Sequence, residues 1–171
     1  MKRWLGWLVV LAAACGSGAH PASTSTTVNP ILPAAPNATV VRDVDGDTIV
    51  VRIRGKTEHV RLIGIDTPET KKPNTPVQCY GPEASEFTKK ALPADASVVI
   101  VRDREARDDY GRLLAYVYRE TDGMFVNLEL AKRGFARPLT IVPNDAHAAE
   151  FVAAARAAEA ADLGLWGACT G

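Results

Sequence analysis

A chain of 171 residues, 47% hydrophobic and 23% charged, is long enough for one globular domain with some length to spare. Its 20 basic and 20 acidic side chains cancel to a formal net charge of +0, which argues against a stoichiometric nucleic-acid packager. The same balance leaves room for an enzyme that meets a polyanion at one local site.

The first fifteen residues, MKRWLGWLVVLAAAC, join a basic start (Lys2, Arg3) to an apolar run from Trp4 to Leu11 and small residues before Cys15. This is the grammar of a secretory leader, and the run is too short for a permanent membrane span. Ala12, Ala13 and Ala14 before Cys15 resemble a bacterial lipobox, with the leucine one place early at Leu11. Lipidation of Cys15 would anchor the protein to the membrane; cleavage without a lipid is the alternative and leaves an exported chain with an odd cysteine. Residues 16–37 are rich in Ser, Thr, Pro, Ala and Gly and carry almost no charge. They bury too little apolar surface to offset chain entropy, so a flexible tether is expected, with the folded domain over 38–171.

From Thr39 the pattern turns to strands. TVVRDV, TIVVRIR and HVRLIGID are rich in Val and Ile, separated by Asp45-Gly46-Asp47 and Arg54-Gly55-Lys56, and predict a three-stranded antiparallel meander. GPEASEFTKKAL predicts a helix: Pro82 suits its first turn, Glu83 its positive end, and Lys89 and Lys90 its negative end. Ala84, Phe87 and Ala91 form its apolar stripe, and Pro93 stops it. Two more strands are predicted over 97–102 and 113–119, with a polar loop between them. A short helix follows from about Asn127 to Arg133, capped by Gly134, and an alanine-rich helix runs from about Asp145 to Leu163, ended by Gly164. Five strands and three helices give an α+β, mainly β, fold: a five-stranded OB-type barrel with three packed helices.

The polar residues at the element ends carry the chemistry. Asp45, Asp47 and Asp66 with a backbone oxygen near Thr67 make an oxygen-only donor set, which suits calcium or magnesium better than zinc. Arg61 and Arg112 near such a cation imply an intervening phosphate, gripped by guanidinium forks. Glu69 is then free to serve as a base toward water. Each piece has a plain alternative: DVDGDT as a tight turn, Arg61 as a surface strand residue, Glu69 as a cap, Tyr110 and Arg112 as solvated loop residues. An EF-hand reading of Asp43, Asp45 and Asp47 fails, because Thr48 replaces the sixth-position glycine and Arg54 the twelfth-position glutamate.

Taken in order, DGDT, RLIGIDTPET, YGPEASEFTKK and DYGRLLAYVY resemble the staphylococcal, thermonuclease-type nuclease family over residues 38–166. The resemblance implies an OB barrel with three helices and a nuclease that cuts DNA and RNA with little sequence preference, leaving 3′-phosphate ends. It implies Asp47 and Asp66 as calcium carboxylates, Thr67 as a carbonyl donor and Asp45 in the outer shell of the ion. It implies Glu69 as general base toward a calcium-associated water, Arg61 and Arg112 as phosphate-binding arginines, and Tyr110 as a contact to a terminal phosphate. The chain departs from the family's type member at Leu139 and Ile141, where tyrosines stand, and at Thr75 and Asp109, where lysines stand.

The expected protein is therefore a monomeric, calcium-dependent nuclease, exported and either secreted or tethered to the membrane. A non-catalytic single-stranded nucleic-acid-binding OB module is the alternative; it would want an aromatic platform and a basic groove, whereas 6% of this chain is aromatic. A structural surface lipoprotein would leave the acid–arginine set idle. With Cys15 assigned to the membrane, Cys79 and Cys169 remain, flanking the first and last helices. In an oxidising compartment, and in a fold that brings the first helix's start near the chain's end, a Cys79–Cys169 disulfide is expected.

Overall fold

A computed structural model describes residues 32–169; the leader, Cys15 and residues 16–31 of the linker lie outside the described residues. Strand β1 (Ala38–Asp43), β2 (Thr48–Ile53) and β3 (Lys56–Leu62) form the meander that the turn residues predict. With β5 (Ser97–Val101) and β6 (Leu113–Arg119) they close a barrel in the order β1-β2-β3-β6-β5. Every pair is antiparallel except β3–β6. Closure leaves no free edge, and the interior is filled by side chains such as Ile49, Val51, Val60, Leu62 and Val98, all at 0% exposure. Asn37, just before β1, exchanges side-chain hydrogen bonds with the backbone of Ile100 (2.9 and 2.8 Å).

One predicted element is broken. HVRLIGID reads as a single strand, yet β3 stops at Leu62 and a separate β4 (Gly64–Asp66) leaves the barrel to pair with β7 (Arg137–Leu139). Gly64 makes the break: its φ is +85°, and a Cβ there would lie 2.1 Å from the Phe151 ring. The amide of Asn127, fully buried, ties the break down. Its Nδ2 donates to the carbonyls of Ile63 (2.9 Å) and Ala115 (3.1 Å), and its Oδ1 accepts from the N–H of Val117 (2.9 Å). One side chain thereby serves the backbone of both β6 and the break, where the Ile63 N–H also donates to the Ala115 carbonyl at 3.1 Å.

Helix α1 (Gly81–Ala91) packs Ala84, Thr88 and Ala91 inward, with Phe87 half-buried. Helix α2 (Val126–Lys132) is followed by Gly134 at φ 71°. Helix α3 spans Ala148–Ala160, shorter than the predicted 145–163. Residues Asp145–His147 instead form an entry turn, whose Ala146 N–H donates to Asp103 (3.0 Å), and Asp162 takes a left-handed φ of 51° beyond the helix. Its inward face is Phe151, Ala154, Ala155 and Ala158. Burying the Phe151 ring contributes about 3 kcal/mol. A fourth, one-turn helix α4 (Leu165–Ala168), absent from the sequence reading, starts after Gly164 and buries Leu165. Cys79 and Cys169 are joined by a disulfide with Cα atoms 5.9 Å apart, linking the entry to α1 with the end of α4.

Candidate active site

The site grows from the β1–β2 turn. Val44 and Asp45 donate their N–H groups to the Thr48 carbonyl (2.8 and 3.2 Å), and Asp47 N–H donates to Asp45 Oδ1 (3.1 Å). Gly46 is where Thr67 presses on the turn: a Cβ would come within 2.6 Å of Thr67 Oγ1. From below, the buried Thr88 hydroxyl on α1 donates to the Gly46 carbonyl at 2.6 Å. The turn is thus clamped between β4's continuation and α1, which aims the Asp47 carboxylate inward.

Asp47 is 7% exposed and Arg61 6%. Asp47 Oδ2 accepts from the N–H and the hydroxyl of Thr67 (2.9 Å each) and pairs with Arg61 at 2.7 Å, while Oδ1 accepts from the Thr48 hydroxyl at 3.2 Å. The other guanidinium nitrogen of Arg61 reaches Asp66 Oδ1 at 2.9 Å, and Arg61 also donates to its neighbour's carbonyl, Leu62 O, at 3.1 Å. Arg61 reaches both carboxylates because β3 and β4 are separate strands: the break at Gly64 swings Asp66 back beside the end of β3.

Glu69 sits on the turn after β4. Its Oε1 accepts from three successive backbone N–H groups, those of Thr70, Lys71 and Lys72 (2.8, 2.7 and 2.9 Å), and its own N–H donates to Gln78 Oε1 at 2.8 Å. The amides, that of Lys71 first, hold its carboxyl below the ordinary glutamate range, so Glu69 is anionic. Asp45 shows the opposite pressure. Burial, then the charge of Asp47, pushes its carboxyl up to about 6. Asp66 is likewise raised, by burial before all else, in spite of Arg61.

Arg112 faces this group from the start of β6. Its Nε pairs with Asp108 Oδ2 at 2.7 Å, its N–H donates to Asp108 Oδ1 at 2.9 Å, and its guanidinium lies 3.5 Å from the Thr48 hydroxyl. Asp45, Asp47, Arg61, Asp66, Thr67, Glu69 and Arg112 line one polar cleft of about 210 Å³. Tyr110 does not. At 86% exposure it lines the adjoining groove, its ring 5.5 Å from the Arg112 guanidinium. Leu139 is 41% exposed on β7 and Ile141 half-buried beyond it, while Thr75 and Asp109 sit on the flanking loops.

Sequence reasoning missed the residues that hold the site residues: Thr48, Gln78, Thr88 and Asp108. Asp108 was findable, four residues before Arg112 in a turn-rich run. Thr88, polar on the inward side of α1 between Ala84 and Ala91, was the other available signal. Among the described residues, no three Asp, Glu, His or Cys side chains converge tightly enough to form a ready metal cage. Arg61 is wedged between Asp47 and Asp66 and takes one oxygen of each. Even so, four carboxylates crowd one small cleft with oxygen donors alone, and burial together with mutual repulsion strains Asp45. That donor set fits a hard dication in charge and chemistry.

The profile described as Staphylococcal nuclease homologue matches residues 59–168. The chain is 50% identical over 127 residues to a protein named Thermonuclease from Staphylococcus intermedius, covering 74% of each chain. It is 46% identical over 127 residues to a Thermonuclease of Staphylococcus hyicus, covering 74% of this chain and 73% of that one. It is also 41% identical over 131 residues to Endonuclease YncB of Bacillus subtilis, covering 76% of this chain and 61% of the relative.

Proposed function

The chain belongs to the staphylococcal nuclease family, and on that footing we propose that it is a calcium-dependent nuclease hydrolysing phosphodiester bonds of DNA and RNA to 3′-phosphate ends. One observation carries the reading: two arginines, three aspartates and a glutamate share a single small cleft. Four carboxylates in one cleft repel a phosphate unless a cation lies between them.

Asp47 and Asp66, with the Thr67 carbonyl, are the residues that would hold calcium, and Asp45 would sit behind them. When bound, the ion supplies charge neutralisation and a site for water. Arg61 would then exchange one or both carboxylate partners for a phosphate oxygen, to which its fork is suited. Arg112, set by Asp108, takes the phosphate from the rim side. Glu69 is anchored through Oε1 by three amides, so Oε2 is the oxygen that receives the water proton. The water oxygen bonds to phosphorus, the bond from phosphorus to O5′ breaks, and O5′ leaves as a hydroxyl after taking a proton from solvent. The depressed basicity of Glu69 in the three-amide nest makes it a modest base, and part of the rate must come from the arginines stabilising the developing charge.

The protein is further read as exported, through the leader ending at Cys15, with the lipid on that cysteine as its membrane anchor. Incorporation of radiolabelled palmitate that disappears in Cys15→Ala tests the anchor; equal labelling of the variant refutes it. For the activity, linear duplex DNA, single-stranded DNA and RNA are incubated with the protein in millimolar calcium and then in chelator. Cleavage in calcium alone supports the proposal. Cleavage equal in chelator removes the metal from it, and binding without cleavage in either buffer favours the non-catalytic module.

A further inference from the structure

The cleft does not end at Arg112. This arginine also lines a groove of about 310 Å³ on the outer side of β3, with Thr57, His59, Tyr110 and Gly111. Glu58 belongs to that groove and also to a larger pocket of about 420 Å³ at the far end of the β2–β3 hairpin. The three depressions are therefore consecutive, each sharing a residue with the next.

The pocket has a distinct make-up. Its rim carries Arg54, Lys56, Arg102 and Arg107, and its floor Ile53, Ile100 and Leu113. Glu58, its one lining carboxylate, is fully engaged by Arg107 through two contacts of 3.0 Å. Arg54, Lys56 and Arg102 are exposed and take part in no salt bridge among the described residues. Four cations against one anion leave three positive charges in one depression, on a chain whose acids and bases cancel overall. The long apolar stems of these side chains and the isoleucine–leucine floor can take the flat face of a base or sugar, while the charged heads meet phosphate. The pocket's size suits a single nucleotide.

We infer that this pocket is a second nucleic-acid contact, gripping the phosphodiester backbone of a substrate strand that leaves the cleft past Arg112 and runs along the outer side of β3. The inference rests on the nuclease reading for the identity of the strand and adds where its flank is held. Lys56 and Arg61 stand at opposite ends of β3, five steps apart, or about 17 Å. At about 3.4 Å per stacked nucleotide that is about five nucleotides, so only strands longer than this reach both places. Tyr110, exposed midway, offers a stacking face on the route.

The test uses the full chain and the triple variant Arg54→Glu/Lys56→Glu/Arg102→Glu, with a fluorescein-labelled oligothymidylate of about fifteen nucleotides. In chelating buffer, anisotropy should show binding at least about 10-fold weaker in the variant. The slope of log K against log salt should be shallower by about 2, since three phosphate contacts at about 0.7 each are removed. In calcium, wild type should show a lower KM for the long strand than for one of about three nucleotides, and that advantage should vanish in the variant. Equal affinity and equal salt slope for both proteins overturn the inference, as does wild type that fails to bind the long strand. If charge reversal prevents folding, judged by circular dichroism, the triple glutamine replacement must show the same loss at smaller size. Wild type that binds through the pocket but cuts nothing in calcium sinks the nuclease reading and leaves this contact standing; intact cutting with pocket-independent binding does the reverse.

Discussion

The two arginines of the cleft occupy opposite physical situations. Arg61 is buried on β3, 6% exposed, with both guanidinium nitrogens on carboxylates and a third contact to a backbone carbonyl. The Arg112 side chain is 30% exposed at the end of a loop, with a single carboxylate partner, Asp108, four residues away in sequence. The floor around Arg61 is built from segments far apart in sequence and clamped by Thr67, Thr88 and Asn127; the rim around Arg112 is a local turn. The same residue type is thus held by two carboxylates in a buried floor in one place and by a single local partner at a half-exposed rim in the other. Removing a buried partner leaves an uncompensated charge, whereas removing an exposed one leaves water to take its place.

The comparison is broken most directly at the floor. Arg61→Gln should abolish measurable cleavage and also lower stability by about 3–5 kcal/mol, because Asp47 is left buried without its cation. Urea unfolding of the variant checks it, and stability equal to wild type would mean that Arg61 serves substrate alone. Arg112→Lys should cost about 100-fold in kcat/KM, since an ammonium cannot reproduce the fork. Its unfolding free energy should stay within about 1 kcal/mol of wild type. A large stability loss there would erase the contrast between floor and rim.

Thr88→Val sharpens the contrast without touching the cleft. Its hydroxyl holds the Gly46 carbonyl at 2.6 Å and is wholly buried, so the variant should lose about 1–3 kcal/mol of stability. Thermal melting and steady-state kinetics together read whether the Asp47 turn also loosens: kcat should fall more than KM rises.

The smallest effect concerns pH and lies away from the cleft. Burial pushes the Asp103 carboxyl up, but the Ala146 N–H and the Tyr116 hydroxyl outweigh it and leave Asp103 below its ordinary range. A depressed carboxyl contributes stability above its unfolded pKa, about 3.9, and that contribution is lost as pH falls through the lower folded value. Asp103→Asn should therefore lower stability slightly at neutral pH and flatten the acid side of the stability profile below about pH 4. Parallel acid-unfolding curves for the two proteins would remove Asp103 from the account.

The barrel was readable because its strands alternate and its turns carry Asp-Gly and Arg-Gly, signals that act over a few residues. What escaped was long-range. The split of HVRLIGID at Gly64 depends on the Phe151 ring arriving from α3, and β7 exists only because β4 leaves the barrel to meet it. The one-turn α4 depends on Leu165 finding the Gly134 carbonyl (2.8 Å). In the cleft, the chemically active types stood out as acids and arginines at strand ends. The residues that aim them were fainter: Thr88 shows only as a polar position on the apolar side of α1, and an asparagine such as Asn127 is recognisable only by the distant carbonyls it serves. Glu69 stood out as a carboxylate with a cap reading open to it, but the three amides that hold it did not, since Lys71 and Lys72 contribute backbone amides that any residue type would supply.

The disulfide divides the cleft in a way that folding alone does not. It closes residues 79–169 into a covalent ring, with Arg112, Asp108 and Tyr110 inside it. Asp45, Asp47, Arg61, Asp66, Thr67 and Glu69 all lie upstream, on the linear arm. The arm joins the ring through residues 70–78, largely exposed and bent by Asn74 at φ 57°. A single protease cut inside the ring frees no fragment while the bridge lasts, but one cut in that joint yields two separable pieces, one bearing the carboxylates with Arg61 and the other bearing Arg112. Neither piece holds a whole cleft. The β3–β6 seam, where Val60, Arg61 and Leu62 register against Leu113, Leu114 and Ala115, is then the join across which the two would have to reassemble.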